Sequence, residues 1–268
     1  MSTSVREHNL RAAALWGSGG KAYDRISRSF SSAIEHCVDR LNPTPGERIA
    51  DVATGTGWAS RSVARLGAQV VGIDIAGPLL DAAREIAMEQ NIAIEYRLGD
   101  AEALPLSDGE FDGVISTFGV MFVPDQQRAA SELARVCRSG GRLGIAAWLP
   151  ESNAIKLRQV LQPYAPTPPV APPSPFVWGT PEWLTATLGR DFSLGFEEDV
   201  VHARFSSSAA AWDTYTEGFG RLCAVAEADD EAQRKELRAA FVSWVDQFQT
   251  GLGISIPFRY LVTIGHRT

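Results

Sequence analysis

Between residues 47 and 148, short apolar runs alternate with segments in which apolar positions recur every three or four residues. The runs at 48–53, 69–74, 92–98, 111–117 and 142–148 predict strands. The periodic segments at 58–66, 78–90 and 125–137 predict helices. Pro78 is tolerated in the first turn of the second helix, and Ser139-Gly140-Gly141 closes the third. This alternation predicts an α/β chain with a parallel sheet covered by helices on both faces, whose ligands sit at the carboxyl ends of the strands. The first forty residues read as helical, broken at Trp16-Gly17-Ser18-Gly19-Gly20. In the second half of that stretch Phe30, Ile34, Cys37, Val38 and Leu41 share a face, and His36 is expected to turn away from it as a solvated surface residue. The run Asn42-Pro43-Thr44-Pro45-Gly46 stops the helix. Beyond residue 148 the pattern changes. Eight of the fifteen prolines fall between 163 and 181, which predicts a stiff, extended loop. Thr180-Pro181-Glu182 then reads as an N-cap opening a helix over 183–188, followed by a strand near 194–205, helices over about 208–249 and a final strand at 258–267.

Composition narrows the function classes. The chain has 268 residues, 45% apolar and 21% charged, which suits a globule able to bury a core without disulfides or structural metal. No window of 18 residues is continuously apolar, so no membrane partner is expected, and the amino terminus lacks a basic-then-apolar signal layout, so a cytoplasmic location is expected. A net charge of −7 with few lysines and scattered arginines argues against nucleic acid as a partner. Cys37, Cys137 and Cys223 stand far apart and fall in no metal-ligand spacing, so no metal is expected.

Four signals carry chemistry. The first is Asp51-Val52-Ala53-Thr54-Gly55-Thr56-Gly57, between a strand and a helix. Its glycines permit positive φ and close approach of backbone to a ligand; the helix start offers unpaired N–H groups, and Ser60 adds a hydroxyl. The second is Asp74, with Ile75 beside it, at the tip of the second strand, where a carboxylate can accept both hydroxyls of a ribose. The third is Gly99-Asp100-Ala101, after the third strand: the carboxylate can accept from an adenine amino group, and Glu102 and its neighbours would flank the ring. The fourth is the strand 111–117 with the residues just beyond it. Ser116 lies beside the first loop, and Phe118, Met121 and Phe122 are either core or the wall of a pocket over the reacting end of a cofactor.

These motifs, together with Glu132-Leu133-Ala134-Arg135-Val136-Cys137-Arg138-Ser139-Gly140-Gly141-Arg142, resemble class I S-adenosylmethionine-dependent methyltransferases, in particular the small-molecule branch containing the ubiquinone and menaquinone C-methyltransferases. The resemblance covers residues 47–148 well and the flanks loosely. It implies a Rossmann-like, seven-stranded, mostly parallel sheet with an antiparallel last strand, and S-adenosylmethionine as cofactor. The chain is expected to divide into four segments: an N-terminal helical cap at 1–46, a cofactor-binding core at 47–148, a substrate cap with remaining core elements at 149–250, where the alternation breaks and prolines and tryptophans gather, and the final strand at 251–268. By motif, Asp51, Ala53, Thr54, Gly55, Thr56, Gly57 and Ser60 would hold the amino-acid end of the cofactor. Asp74, with Ile75 beside it, would hold its ribose, Asp100 and Ala101 its adenine with Glu102 flanking the ring, and Ser116 would approach its methionine portion with its backbone; Tyr23 resembles the family tyrosine that closes over it. There are two departures. Ala53 stands where the family usually has glycine, and Val120-Met121 stands where several relatives carry a side-chain base.

The function expected is methyl transfer to a small-molecule acceptor (nitrogen, oxygen or activated carbon) by positioning in a dry aromatic pocket, in a monomer or homodimer. Trp16, Phe118, Met121, Trp148 and Trp178 are the expected substrate contacts, with Trp178 the strongest because it stands outside any predicted helix. No catalytic base is apparent, since none of the four histidines lies in the motifs. Two rival readings are weaker. A nicotinamide dehydrogenase would want glycine or alanine where Ser60 stands, and a non-catalytic methyltransferase-like partner protein would have little use for intact cofactor motifs.

Overall fold

The computed structural model describes residues 5–164, 173–220, 222 and 231–268. Cys223 and residues 165–172 of the proline-rich loop lie outside the described residues. Among the described residues eight strands occupy one sheet: β1 (Arg48–Val52), β2 (Gln69–Asp74), β3 (Glu95–Leu98), β4 (Phe111–Thr117), β5 (Cys137–Trp148), β6 (Phe192–Phe205), β7 (Gln249–Thr250) and β8 (Gly253–Arg267). Seven run in the order β3-β2-β1-β4-β5-β8-β6, and the two-residue β7 pairs only with β8 as a hairpin. β1 to β5 are mutually parallel, and β8 lies antiparallel between β5 and β6.

Parallel strands buried on both faces need unbroken apolar runs, and β2 shows this: only Gln69 is exposed. Right-handed crossovers then decide the faces. From β1 the chain steps outward to β2 and β3 through α4 (Trp58–Arg65) and α5 (Gly77–Glu89). From β4 it steps the other way, to β5, through α6 (Gln126–Val136), which therefore covers the opposite face. The order reverses between β1 and β4, which places the ligand crevice at the carboxyl ends of these strands.

The amino-terminal region supplies α1 (Leu10–Gly17), α2 (Tyr23–Ser29) and α3 (Ser31–Leu41). Ala33, Ile34, Cys37, Val38 and Leu41 are the buried stripe of α3, and the helix ends on left-handed Asn42 before Pro43. That stripe seats on β5, where a Cβ at Gly144 would stand 3.3 Å from Cys37 Sγ. His36 is not solvated as expected. Its Nδ1 lies 2.9 Å from Tyr260 Oη and its Nε2 3.1 Å from Glu197 Oε2, because β6 and β8 extend beyond the helix and cover it.

Beyond β5 come α7 (Asn153–Leu161), α8 (Pro181–Leu188), α9 (Ser208–Gly218) and α10 (Glu231–Val245). Four local expectations need correction. β3 starts at Glu95 rather than residue 92, because left-handed Asn91 and an Ile92 N–H bond to Ala87 extend the helix turn. Ser139-Gly140-Gly141 does not close a helix; it lies within β5, where the register with β4 shifts between Phe111 and Gly113. Thr180 makes no side-chain cap: its hydroxyl donates to Val177 O at 2.6 Å. The described end of the proline stretch is a 3-10 turn at Pro175–Gly179 rather than extended chain.

That turn places Trp178 in the core. It is fully buried, 5.0 Å ring to ring from Trp183, and the turn rests on β5 so closely that a Cβ at Gly179 would meet Trp148 O at 2.2 Å. Trp178→Ala is therefore expected to cost about 3–5 kcal/mol of folding stability by opening a large cavity. Denaturant unfolding would read this directly; a loss below about 1 kcal/mol would contradict the packing of this tryptophan.

Candidate active site

The loop after β1 turns back over its own strand. Ala53, Gly55 and Gly57 all have left-handed backbone, with φ of 57°, 57° and 78°. The turn is fixed from below by Asp51, whose Oδ2 accepts from the Thr54 and Ser60 hydroxyls at 2.6 Å each. Burial pushes the Asp51 carboxyl up, against those hydroxyl bonds. From outside, Asp24 of α2 accepts from Thr56 Oγ1 at 3.0 Å and from buried Arg61 at 2.9 Å. This clamp sets its neighbour Tyr23 over the loop, 3.5 Å from where a Cβ on Gly55 would stand. Burial and the nearby Asp74 carboxylate push the Tyr23 phenol up, so it stays neutral.

Asp74 closes β2. Its two oxygens accept from Gly55 N at 2.8 Å and Ala76 N at 2.9 Å. Burial outweighs these bonds, the Asp51 charge adds to it, and the carboxyl is raised to about 6. Asp100, after β3, is tied to the amino-terminal segment: it accepts from Arg6 N at 3.0 Å, Asn9 Nδ2 at 2.9 Å and Glu102 N at 2.9 Å. A carboxylate only accepts, so the Asn9 amide must turn its NH₂ to Asp100. Asn9 Oδ1 is left buried without a partner.

One cavity of ≈ 220 Å³ brings these tips together with an aromatic wall. Phe118 has a left-handed backbone, φ 57°, and stacks on Trp148 at 3.9 Å and 18°. Phe30 stands edge-on to Trp148 at 4.8 Å, and Trp16 leans on Phe122 at 5.1 Å. Beside Phe118, Gly119 lies where a Cβ would be 2.5 Å from Ala53 Cβ, so the loops after β1 and β4 touch.

Of the residues expected at the site, Tyr23, Ala53, Thr54, Gly55, Asp74, Ile75, Asp100, Ala101, Trp16, Phe118, Met121 and Trp148 line this cavity. Asp51, Thr56, Gly57, Ser60, Glu102 and Ser116 do not. They stand behind the wall: Ser116, for instance, donates to Val52 O at 2.7 Å and ties β4 to β1. Trp178 is absent from the lining because it packs in the core against β5. Asn9, Phe30, Arg158, Tyr215 and Phe258 also line the cavity, although no motif marks them as site residues. For Asn9 the sequence holds a signal, a polar residue at helical spacing from Ala12 and Trp16; the others reach the site only through tertiary packing. Among the described residues no cluster of His, Cys, Asp or Glu could hold a metal, and no helix is long and apolar enough to cross a membrane.

Residues 50–145 match a family model described as a methyltransferase domain. An uncharacterized protein of Mycobacterium tuberculosis is 35% identical over 91% of this chain and 93% of its own length. A demethylmenaquinone methyltransferase of Thermus thermophilus is 36% identical over 48% of this chain and 61% of its own. This chain belongs to the class I S-adenosylmethionine-dependent methyltransferases. The solved structure of a putative methyltransferase from Bacillus halodurans shares the fold, with a TM-score of 0.61 at 19% identity, covering 88% of this chain and 98% of that one. The methyltransferase is thus an enzyme, and the dehydrogenase and non-catalytic readings are set aside.

In this methyltransferase Ala53 bears a left-handed conformation that costs an L-residue with a Cβ roughly 1–2 kcal/mol. Ala53→Gly is expected to stabilise the fold by about 0.5–1 kcal/mol after the extra freedom of the unfolded glycine is discounted, a rise in Tm of about 1–4 °C. A lower Tm measured by calorimetry would mean that the alanine methyl packs better than its backbone is strained.

Proposed function

We propose that this cavity binds S-adenosylmethionine across the strand tips and delivers its methyl group to a small molecule held under α7 and α9. The observation that carries the proposal is the meeting, in one cavity, of the Asp74 and Asp100 tips, the left-handed glycine loop and the aromatic wall. The donor and acceptor set fits the cofactor. The backbone of Ala53–Thr54–Gly55 under Tyr23 would hold the amino-acid end. Asp74 would accept from the ribose, using the lone pairs its two backbone bonds leave over. Ala101 would serve the adenine ring by its backbone. Asp100 is already occupied by three donors, so the unpartnered Asn9 Oδ1 would take the adenine amino group.

When bound, S-adenosylmethionine supplies a sulfonium-activated methyl group. The chain's own residues position and shield. Phe118, Trp148 and Phe30 present aromatic faces and edges that exclude water and suit a nearby cation. No histidine or lysine is among the lining residues, and the Tyr23 and Tyr215 phenols are both pushed up by burial. The acceptor therefore brings its own nucleophilic lone pair, and alignment supplies the main advantage, roughly 7–11 kcal/mol when the pose is right. The segment from 149 to 250 acts as the substrate cap: α7 contributes Ala154 and Leu157, and α9 contributes Tyr215.

Asp74→Ala is expected to weaken S-adenosylhomocysteine binding about tenfold to a hundredfold at pH 7.5, read by calorimetry. Only the ionised carboxylate offers its full set of acceptors. Wild-type affinity should therefore fall as pH drops below about 6, by at most about tenfold per unit, and Asp74→Asn should flatten the profile. The stability of the ligand-free protein should move the opposite way. A carboxyl raised in the folded state binds more protons than in the unfolded chain, so this group adds stability as pH falls from about 6 towards 4. A pH-independent affinity in the wild type would remove Asp74 from the ribose site. For Asn9→Ala, a loss of about fivefold for S-adenosylhomocysteine is expected, with the inosine analogue unaffected; equal losses for both would show a role unrelated to the amino group.

A further inference from the structure

Helix α7 faces the cavity with Ala154, Leu157, Arg158 and Leu161, the spacing of one helical stripe. Three of the four are apolar, as a stripe against aromatic walls should be; Arg158 breaks the pattern. Exposed positions for a solvated charge lie on the same helix, at Lys156 and Gln159, so the inward placement is not forced by the helix. Arg158 is the sole cationic side chain among the lining residues, and it is half-buried. Among the described residues its guanidinium has neither an ion pair nor a hydrogen bond. The acids that share the cavity are engaged elsewhere: Asp74 by Gly55 and Ala76, Asp100 by Arg6, Asn9 and Glu102.

A guanidinium keeps its charge, and holding it against apolar surface without a counter-charge is unfavourable. Its planar fork matches a carboxylate through two parallel hydrogen bonds. The surfaces that share the cavity, Phe30, Leu157, Leu161 and Phe258 among them, suit an apolar body. We propose that the acceptor pocket takes an apolar organic acid, with Arg158 anchoring its carboxylate and the aromatic wall holding its hydrocarbon part. This rests on the reading of the cavity as a methyl-transfer site. It deepens that reading by naming the acceptor's chemical class, and it assigns Arg158 a specificity role rather than a catalytic one. An anchoring cation also explains how a chain of net charge −7, with two carboxylates in the same cavity, admits an anion.

The test uses a matched pair of probes, 2-naphthoate and 2-naphthamide, which differ only in the charged group. Binding to the full chain is followed by calorimetry, with and without S-adenosylhomocysteine. The wild type is expected to bind the acid about tenfold more tightly than the amide. Arg158→Met should bring the two within about twofold by weakening the acid alone, and Arg158→Lys should keep part of the preference. Retained amide binding and unchanged S-adenosylhomocysteine affinity show that each variant is folded. Equal binding of the two probes by the wild type, binding of neither, or a preference that survives in Arg158→Met overturns the proposal. If S-adenosylhomocysteine itself fails to bind the wild type, the methyl-transfer reading falls, while the acid–amide comparison still reports on Arg158.

Discussion

A buried carboxylate at the end of β1 organises the site. Asp51 is 1% exposed, and a charge so placed must be compensated locally. Compensation comes from two hydroxyls only three and nine residues further on, Thr54 and Ser60, and the chain can deliver both only by curling back over the strand. The left-handed residues at 53, 55 and 57 are the geometric result. The curl turns the Gly55 N–H toward Asp74, and the Asp51 charge in turn helps raise the Asp74 carboxyl. One acid thus sets both the shape of the loop and the electrostatics of the next strand tip.

The amino-terminal helices use the same tips as anchorage. Asp24 grips Arg61 and Thr56, while Arg6 and Asn9 grip Asp100. Buried Glu102 receives His8 at 2.7 Å and Asp125 N at 2.9 Å, so it holds this segment rather than facing the cavity. Residues the sequence suggests as ligand contacts therefore divide in two. Some face the cavity, and others, one layer behind, hold the wall in place.

The division explains how much of the site is legible in the sequence. Strand positions are legible because a strand buried on both faces leaves an uninterrupted apolar run, as 70–73 does. The strand tips come with them, since the placement of Asp74 and Asp100 depends only on where a strand ends. Depth behind the wall is not legible: the Ser60 hydroxyl sits beside the cavity in sequence terms, yet donates to Asp51. Nor is long-range packing. Trp178 stands outside any predicted helix, which suggests a substrate contact, but its 3-10 turn is driven against β5. Arg158 carries no motif, and only the placement of α7 brings it to the cavity. His36 gains partners 161 and 224 residues away, which no local periodicity announces.

The bonds from Arg6 and Asn9 to Asp100 bear on timing as well as shape. Asn9, Ala12, Trp16, Tyr23 and Phe30 roof the cavity, and that roof is fastened to the strand tip beneath it. A nucleoside bound there as proposed would lie beneath a roof that these hydrogen bonds hold down. Unfastening the roof then becomes a step that can be slower than the chemistry it encloses. With the cofactor bound as proposed, such a roof would make departure of the spent nucleoside a candidate for the slow step of the cycle.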